Sequence, residues 1–332
     1  MMEPVLMLGG SGQAGSSTAA MLRSWHPELP LTIAGRNPGR AQRAAAELGT
    51  ASAVTVDLSR PGLGLPQEAK YAAVVATVWD KHLHGLRYAQ DHGIPYLSIS
   101  SGMSDIAPEL VASGQRPAAA PIVVASHWAA GIVVLVAMDA ARAFGRVDAI
   151  EINAVLDEQD AGGPAAAADL ERWADAAPTA MIRRDGVFVW TAEVDVEVPA
   201  SDGVVLPGQL AGILDVPSVA LATGARDVRF AFGMGESSGR RAGGDPSHDV
   251  RIDLRGADRD GAPLARSVRL THPGGQRPVT AVGIALSVER LLTLRGDLVA
   301  PGIHMPEGLI DPGYAVGRLR ESGATIGHQP IG

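Results

Sequence analysis

The sequence predicts an α/β protein in which an N-terminal doubly wound parallel sheet precedes a second, α+β domain containing a mostly antiparallel sheet. Three observations carry that expectation. Short apolar runs alternate with helix-like stretches over the first ~125 residues, a glycine-rich turn joins the first run to the first helix, and past about Phe144 the pattern changes to strands of alternating character. A chain of 332 residues, at the usual ~150 per domain, has room for about two such domains.

The first apolar run, residues 5–8, is followed by Gly9-Gly10-Ser11-Gly12-Gln13-Ala14-Gly15 and by a stretch in which Thr18, Met21, Leu22 and Trp25 recur at helical spacing. Residues 31–34 read as a second strand, 40–48 as a helix closed by Gly49, and 53–56 as a third strand. Residues 71–78 are apolar throughout, as a parallel strand covered on both faces should be. A helix over 82–91 and strands at 96–99 and 122–125 complete this series. Beyond it, strands are expected at 147–156, 186–198, 228–232, 250–255 and 267–271, and helices at 165–176, 280–294 and around 314–321. The glycine-rich stretch 234–244 reads as a mobile loop, because such a composition rarely packs a core.

Composition excludes several chemistries. Cysteine is absent, which removes disulfides, thiolate nucleophiles, iron–sulfur clusters and cysteine zinc sites. With 28 basic against 36 acidic residues, the formal charge of −8 leaves no basic field for a polyanion, so no nucleic acid is expected as a partner. The sequence runs from Met1 into a strand without a basic leader, and its longest apolar run, 128–138, falls short of the ~20 residues of a membrane helix. A cytoplasmic protein that engages no membrane is the expectation. The nine histidines show no metal-ligand spacing, and His82 with His84 alone are too few, so no metal is expected. A GxSxG match at 235–239 runs on into Arg240 and Arg241, whereas a nucleophile elbow opens directly into a helix.

The GxGxxG at Gly10, Gly12 and Gly15 has a telling context, since it follows an apolar strand and opens a helix. Its glycines permit the tight turn, the approach of backbone to a pyrophosphate and the packing of helix on strand; Ser11, Gln13 and Ala14 complete the expected phosphate cradle. An acidic residue about 20 positions later would select NAD, but here the second strand ends Ala34-Gly35-Arg36-Asn37. Arg36, with Asn37 beside it and Arg40 one helical turn on, suits a 2′-phosphate, which indicates NADP(H). Asp57 stands where such folds meet the adenine and equally where an ordinary strand-end cap would stand. Thr77 and Val78, ending the fourth strand, complete the candidate cofactor contacts.

The chain resembles the saccharopine dehydrogenase-like oxidoreductases. The resemblance rests on GGSGQAG followed by AGRN, on HGIPYLSIS, on ASHWAAGIVVLVAMDAAR, and on THPGGQRPVTAVGIALSVERLL with PGIHMPEGLID, and it spans most of the chain. It implies a Rossmann domain over residues 1–126, an α+β domain over 127–300 that holds substrate and makes a dimer, and a segment 301–332 returning to the Rossmann domain. Departures mark a diverged substrate pocket: Trp79-Asp80 replaces the family's glycine-proline, Ser98 its acidic residue, and Ala130-Gly131 its proline-glycine.

Ligands of an open α/β sheet lie off the carboxyl ends of its strands. His127, directly after the sixth strand, is the candidate proton donor, and a hydrogen-bonded structural histidine is the other reading. Asp80, Lys81 and His82 are further catalytic candidates, although Asp80 would equally cap the next helix, and His82 and His84 cannot share one helix side. Trp79, Ser100 and Trp128 are candidate substrate contacts, Trp128 being readable also as core, and Tyr96 reads as a packed strand residue. Glu236, Arg240, Arg241 and His248 would either close over an acidic substrate or stand as solvated charges. The expected activity is NADP(H)-dependent interconversion of imine and amine on a small molecule held between the domains, in a homodimer built through the second domain. An enoyl or carbonyl reductase on the same scaffold and a non-catalytic NADP(H)-binding regulator are the alternatives.

Overall fold

The structure, a computed structural model, describes residues 2–99, 102–103, 105–160, 162–176 and 179–331, without the side chains of 173–176 and 330. The chain divides into two units: unit 1 comprises Met1–Ser126, Gly162–Glu171 and Thr280–Ile310, and unit 2 comprises His127–Ala161, Arg172–Val279 and Asp311–Gly332.

In chain order the elements begin with β1 (Val5–Leu8), α1 (Gln13–Trp25), β2 (Leu31–Gly35), α2 (Pro38–Leu48) and β3 (Ala51–Thr55). Then come β4 (Ala73–Ala76), α3 (His84–His92), β5 (Tyr96–Ser98), α4 (Ile106–Gly114) and β6 (Pro121–Val124). They continue with α5 (Ile132–Ala141), β7 (Arg146–Asp157), α6 (Pro164–Ala176), β8 (Ala180–Arg184), β9 (Val187–Thr191), β10 (Asp195–Pro199) and β11 (Val205–Leu210). Next are α7 (Asp215–Thr223), β12 (Asp227–Gly235), α8 (Ser238–Arg241), β13 (His248–Ala257), β14 (Pro263–His272) and α9 (Gln276–Leu291). The last are β15 (Gly302–His304), α10 (Pro306–Leu309), α11 (Pro312–Glu321) and β16 (Thr325–Pro330).

Seven strands of unit 1 form a parallel sheet in the order β15-β6-β5-β4-β1-β2-β3. β1 pairs with β2 on one side and β4 on the other, Val5 lying opposite both Leu31 and Ala73, so the winding reverses there and a ligand crevice opens beyond the carboxyl ends. Both faces of these strands are covered, which explains their unbroken apolar lettering; Leu6, Leu8, Val74 and Val75 are fully buried, each contributing roughly 1.5–3 kcal/mol. In this unit α4 lies outside the expectations, although its Pro108 in the first turn and terminal Gly114 are ordinary boundary signals. α3 starts at His84 rather than 82, because Leu83 adopts φ 56 and turns the chain.

Nine strands of unit 2 form a mixed sheet, β10-β11-β12-β7-β13-β14-β16, with β8 joined to β12 and to β9. β7 and β12 are parallel, and the other pairs are antiparallel. Ile150, Ile152, Phe230, Ile252 and Leu270 bury the core face, on which α5 and α7 pack. α5 is apolar nearly all round because α7 and α11 also pack on it.

Three expectations are corrected. Residues 186–198 are two strands, not one: β9 ends a hairpin begun at Asp185 and Gly186, both at positive φ, and β10 pairs elsewhere. Their inner face is largely covered, as Ala180, Ile182 and Val198 form a cluster with Val189 and Val196. The segment 301–332 returns to the parallel sheet only through Ile310, where β15 pairs with β6; the tail joins unit 2 because β16 adds itself to the free edge of β14. The return to unit 1 also begins earlier than residue 301, at Thr280 within α9. Among the described residues no helix is long and apolar enough to cross a membrane.

Candidate functional site

The glycine turn after β1 is built around two residues that cannot carry a side chain. Gly9 has φ +77, and a Cβ there would lie 2.5 Å from Val78 Cγ1; a Cβ on Gly15 would lie 2.4 Å from Gly9 O and 2.7 Å from Gly10 Cα. The turn is closed by Gly9 N to Ala34 O (3.0 Å), Gly10 N to Met7 O (3.0 Å) and Gly12 N to Gly9 O (2.8 Å). Gly12 is the N-cap of α1 and brings no capping side chain, which leaves the helix start with its N-terminal positive end and the amides of Gln13, Ala14 and Gly15 to face an anion. Gly9, the residue that bends the backbone, was not part of the GxGxxG reading; the doubled glycine at 9–10 is the signal that could have found it.

Around this turn the expected contacts divide. Thr77 Oγ1 donates to Leu8 O (2.9 Å) and Val78 packs on Gly9, so both brace the turn. Arg36 is exposed at the end of β2, whose Gly35 faces Ser11 Oγ, the space for a Cβ there being 3.4 Å from that oxygen. Asn37 Oδ1 accepts from Arg40 N (3.0 Å) and so caps α2. The exposed Asp57 carboxylate accepts from Ser59 Oγ (2.6 Å) and Ser59 N (2.9 Å), and these bonds hold it below its ordinary pKa.

At the end of β4, Trp79 is half-buried, and Asp80 is buried beneath the start of α3. Its carboxylate accepts from Gly85 N (2.7 Å), His84 N (3.1 Å) and Leu86 N (3.1 Å), which is capping on a buried scale. Burial raises its pKa, against the pull of those amides. The buried Tyr96 phenol is shifted well up by burial first and then by the carboxylates of Asp80 and Glu109. Ser98 Oγ donates to the buried Glu109, a residue of the unforeseen α4. Lys81 and His82 remain exposed. His82 lies before the helix, not on it, and its ring stacks on His84 at 5.6 Å, contrary to the expectation that the two must diverge. Ser100 lies outside the described residues.

Unit 2 opens on a clamped turn. His127 is buried, its Nε2 2.8 Å from Ser218 Oγ, and burial lowers its pKa to about 3. At neutral pH it is therefore an uncharged imidazole and no ready proton donor. Trp128 donates its backbone N–H to the buried Asp215 Oδ2 (2.8 Å) and its indole N–H to His248 Nε2 (3.4 Å), and its ring packs 5.2 Å from Phe230. The half-buried indole thus belongs to the packing of unit 2. His248 is buried too, its pKa lowered to about 3 by burial first and by His272 second. Ala129, Ala130 and Gly131 follow in three successive left-handed conformations (φ 49, 54 and 88), a strained turn. Asp215 and Ser218, on α7, escaped the sequence reading, yet Pro217 in the first turn and Gly224 past the last were its signals.

The stretch 234–244 is not built as a mobile loop. Arg240 donates to Asp157 (2.8 Å), Arg241 forks onto Asp202 (2.7 and 2.8 Å), Ser238 bonds Asp249 through N (2.6 Å) and Oγ (2.8 Å), and Ser237 Oγ accepts from Ser247 N (2.9 Å). Burial pushes the Asp157 pKa up, but hydrogen bonds from Ser237, Gln159 and Arg240 outweigh it and hold the group at about 2. A single helical turn, α8, does follow Ser237, but that serine is fully buried, so the GxSxG serine is no exposed nucleophile. Among the described residues no three His, Asp or Glu are grouped as a metal site.

No protein-family model matches the sequence, and no curated protein matches it. Solved structures do. Apo saccharopine dehydrogenase (L-Glu forming) from Saccharomyces cerevisiae superposes with a TM-score of 0.72 at 12% identity, over 99% of this chain and 100% of that one. Amine dehydrogenase from Mycobacterium smegmatis gives 0.52 at 14%, over 93% and 96%. Scyllo-inositol dehydrogenase from Lactobacillus casei, with bound NAD(H) and scyllo-inositol, gives 0.50 at 12%, over 98% and 99%. A parallel sheet wound around a glycine turn, followed by a mixed sheet over the same overall length, is a saccharopine dehydrogenase-like fold.

Proposed function

We propose that the chain is an NADP(H)-dependent oxidoreductase interconverting an imine and an amine on a small molecule. Arg36 carries the reading: it stands exposed at the end of β2, beside the glycine turn, where that end bears no carboxylate. The side-chain-free cradle of Gly9, Gly10 and Gly15 fits a dinucleotide; the start of α1 would hold its pyrophosphate and Arg36 its 2′-phosphate. When bound, this cofactor supplies or takes up the hydride. The protein's part is to orient the acceptor and keep its nitrogen protonated, and a chain with no cysteine and two lysines suits so light an apparatus. We assign the proton to His82, exposed at the end of β4, because Asp80 is consumed in capping α3 and His127 is held neutral. The amine dehydrogenase among the similar structures is in keeping with a nitrogen-bearing substrate.

Titrating NADPH and NADH against wild type and Arg36→Ala tests the cofactor. One arginine–phosphate contact, at about 1.5–3 kcal/mol, corresponds to roughly 10- to 150-fold weaker NADPH binding in the variant with NADH unmoved. Equal affinity of the wild type for both cofactors overturns the assignment. Turnover of ketones or enones without imines overturns the reaction class, and tight NADPH binding without any turnover favours the regulator. His82→Asn should lower kcat by ~10²-fold with cofactor affinity kept, whereas His127→Asn should leave kcat within a few fold. We further propose a homodimer through unit 2, where the edge strand β9 exposes Val187 (60%) and Trp190 (55%). Light scattering showing only a 34.2 kDa species would contradict it.

A further inference from the structure

The face of the unit 2 sheet turned away from α5 and α7 holds a surplus of hydrogen-bond donors. On adjacent strands, Asn153 of β7, Arg251 of β13 and Arg269 of β14 stand in one register row. Successive residues of a strand point to opposite faces, so these three share the side opposite Ile152, Ile252 and Leu270, and Ser267 shares it two residues from Arg269. Asn153 is 4% and Ser267 3% exposed, and among the described residues Asn153 Nδ2, Ser267 Oγ and Arg269 Nε are buried without a hydrogen-bond partner. Neither does the Arg269 guanidinium have an ion pair there, whereas Arg251 Nε is shared by both oxygens of Asp253 (3.0 Å each) and Arg229 binds Glu151 (2.7 Å).

Orphaned donors at such depth call for an acceptor. The register supplies room for one: opposite Arg269, β16 carries Gly327, where a Cβ would meet nothing within 4 Å. Charge decides its kind. The carboxylates of this face are already engaged, Glu151 by Arg229, Asp253 by Arg251, Asp157 by Arg240, Asp249 by Ser238 and Asp227 by the backbone of Asp185, while among the described residues Arg269 has no carboxylate partner, so the open donors favour an anion. We propose that this face is a binding site for a small oxyanion, a carboxylate or phosphate group, whose oxygens accept from Arg269, Asn153 and Ser267. Planar oxygen pairs match the fork of an arginine, while Asp253 and Glu151, already engaged by arginines, border the site and exclude larger anionic surfaces.

Calorimetric titration of the full chain, saturated with NADPH, with inorganic phosphate and separately with malonate tests the proposal. Heat of binding is expected for one or both, weakened at least about tenfold by Arg269→Gln and by Asn153→Leu, with NADPH affinity unchanged. Phosphate alone or malonate alone tells which source of oxygens fits. No saturation by either up to about 10 mM overturns it, as does equal binding by wild type and both variants. Binding abolished instead by Arg36→Ala would put the anion at the nucleotide turn and overturn it. Should Arg269→Gln convert a dimer to a monomer by light scattering without any anion bound by the wild type, the donors serve a second copy and the proposal fails.

Discussion

Residues 9–15 and 234–244 are both rich in glycine, yet the first turns its polar groups outward and the second turns them inward. In the first, glycines bring backbone against backbone so that a helix start and Arg36 are left facing solvent. In the second, serines and arginines are consumed by Asp157, Asp202 and Asp249. Glycine content therefore says that the backbone comes close to something; the partners decide whether that something is a ligand or the protein itself.

The contrast is sharpest under substitution. Gly15→Val should cost about 3 kcal/mol or more and abolish NADPH binding, because its Cβ would sit inside the Gly9 carbonyl at 2.4 Å. Urea unfolding and cofactor titration together measure this, and a variant of normal stability would show the turn to be slack. Asp157→Ala should cost about 3 kcal/mol, since its side chain is wholly buried against Arg240, and should leave NADPH affinity alone. Hydrogen exchange reads the same change locally: strong protection across 236–244 in the wild type, lost in the variant. Fast exchange in the wild type would restore the mobile-loop reading.

Acid should weaken unit 2 early. His127 and His248 have folded pKa values of about 3 against 6.5 when free, so the unfolded chain binds more protons between these limits. Their stabilising effect is complete above pH 6.5 and is lost as pH falls, at about 1.4 kcal/mol per pH unit for each histidine. His248→Gln should halve that slope between pH 6 and 4 in denaturant titrations, and an unaltered slope would refute the assignment. The smallest effect belongs to Gly243→Ala. Its φ of +82 strains alanine by about 1 kcal/mol while nothing crowds the new methyl, and neither cofactor affinity nor turnover should move.

The parallel sheet and its glycine turn were legible because their signals are local: apolar runs of strand length and glycines at set spacing. The same reading put α3 two residues early and passed over α4 and α7, because Leu83's left-handed turn and the packing of short helices are not periodic. Asp80 illustrates the limit at the site. Its place before a helix allowed both capping and catalysis, and three amides folded onto its carboxylate chose capping.

What the sequence determined by itself, then, is the winding of unit 1, the glycine turn and the arginine at the end of β2, since each depends on neighbours within a few residues or one βαβ step. Tertiary structure alone decided that β16 closes onto β14, that Trp128 hangs from Asp215 across 87 positions, that His127 is neutral, and that Asn153, Ser267 and Arg269 meet on one face. The reason is physical. Burial and pairing set protonation and satisfy donors, and both are made by residues far apart in the chain.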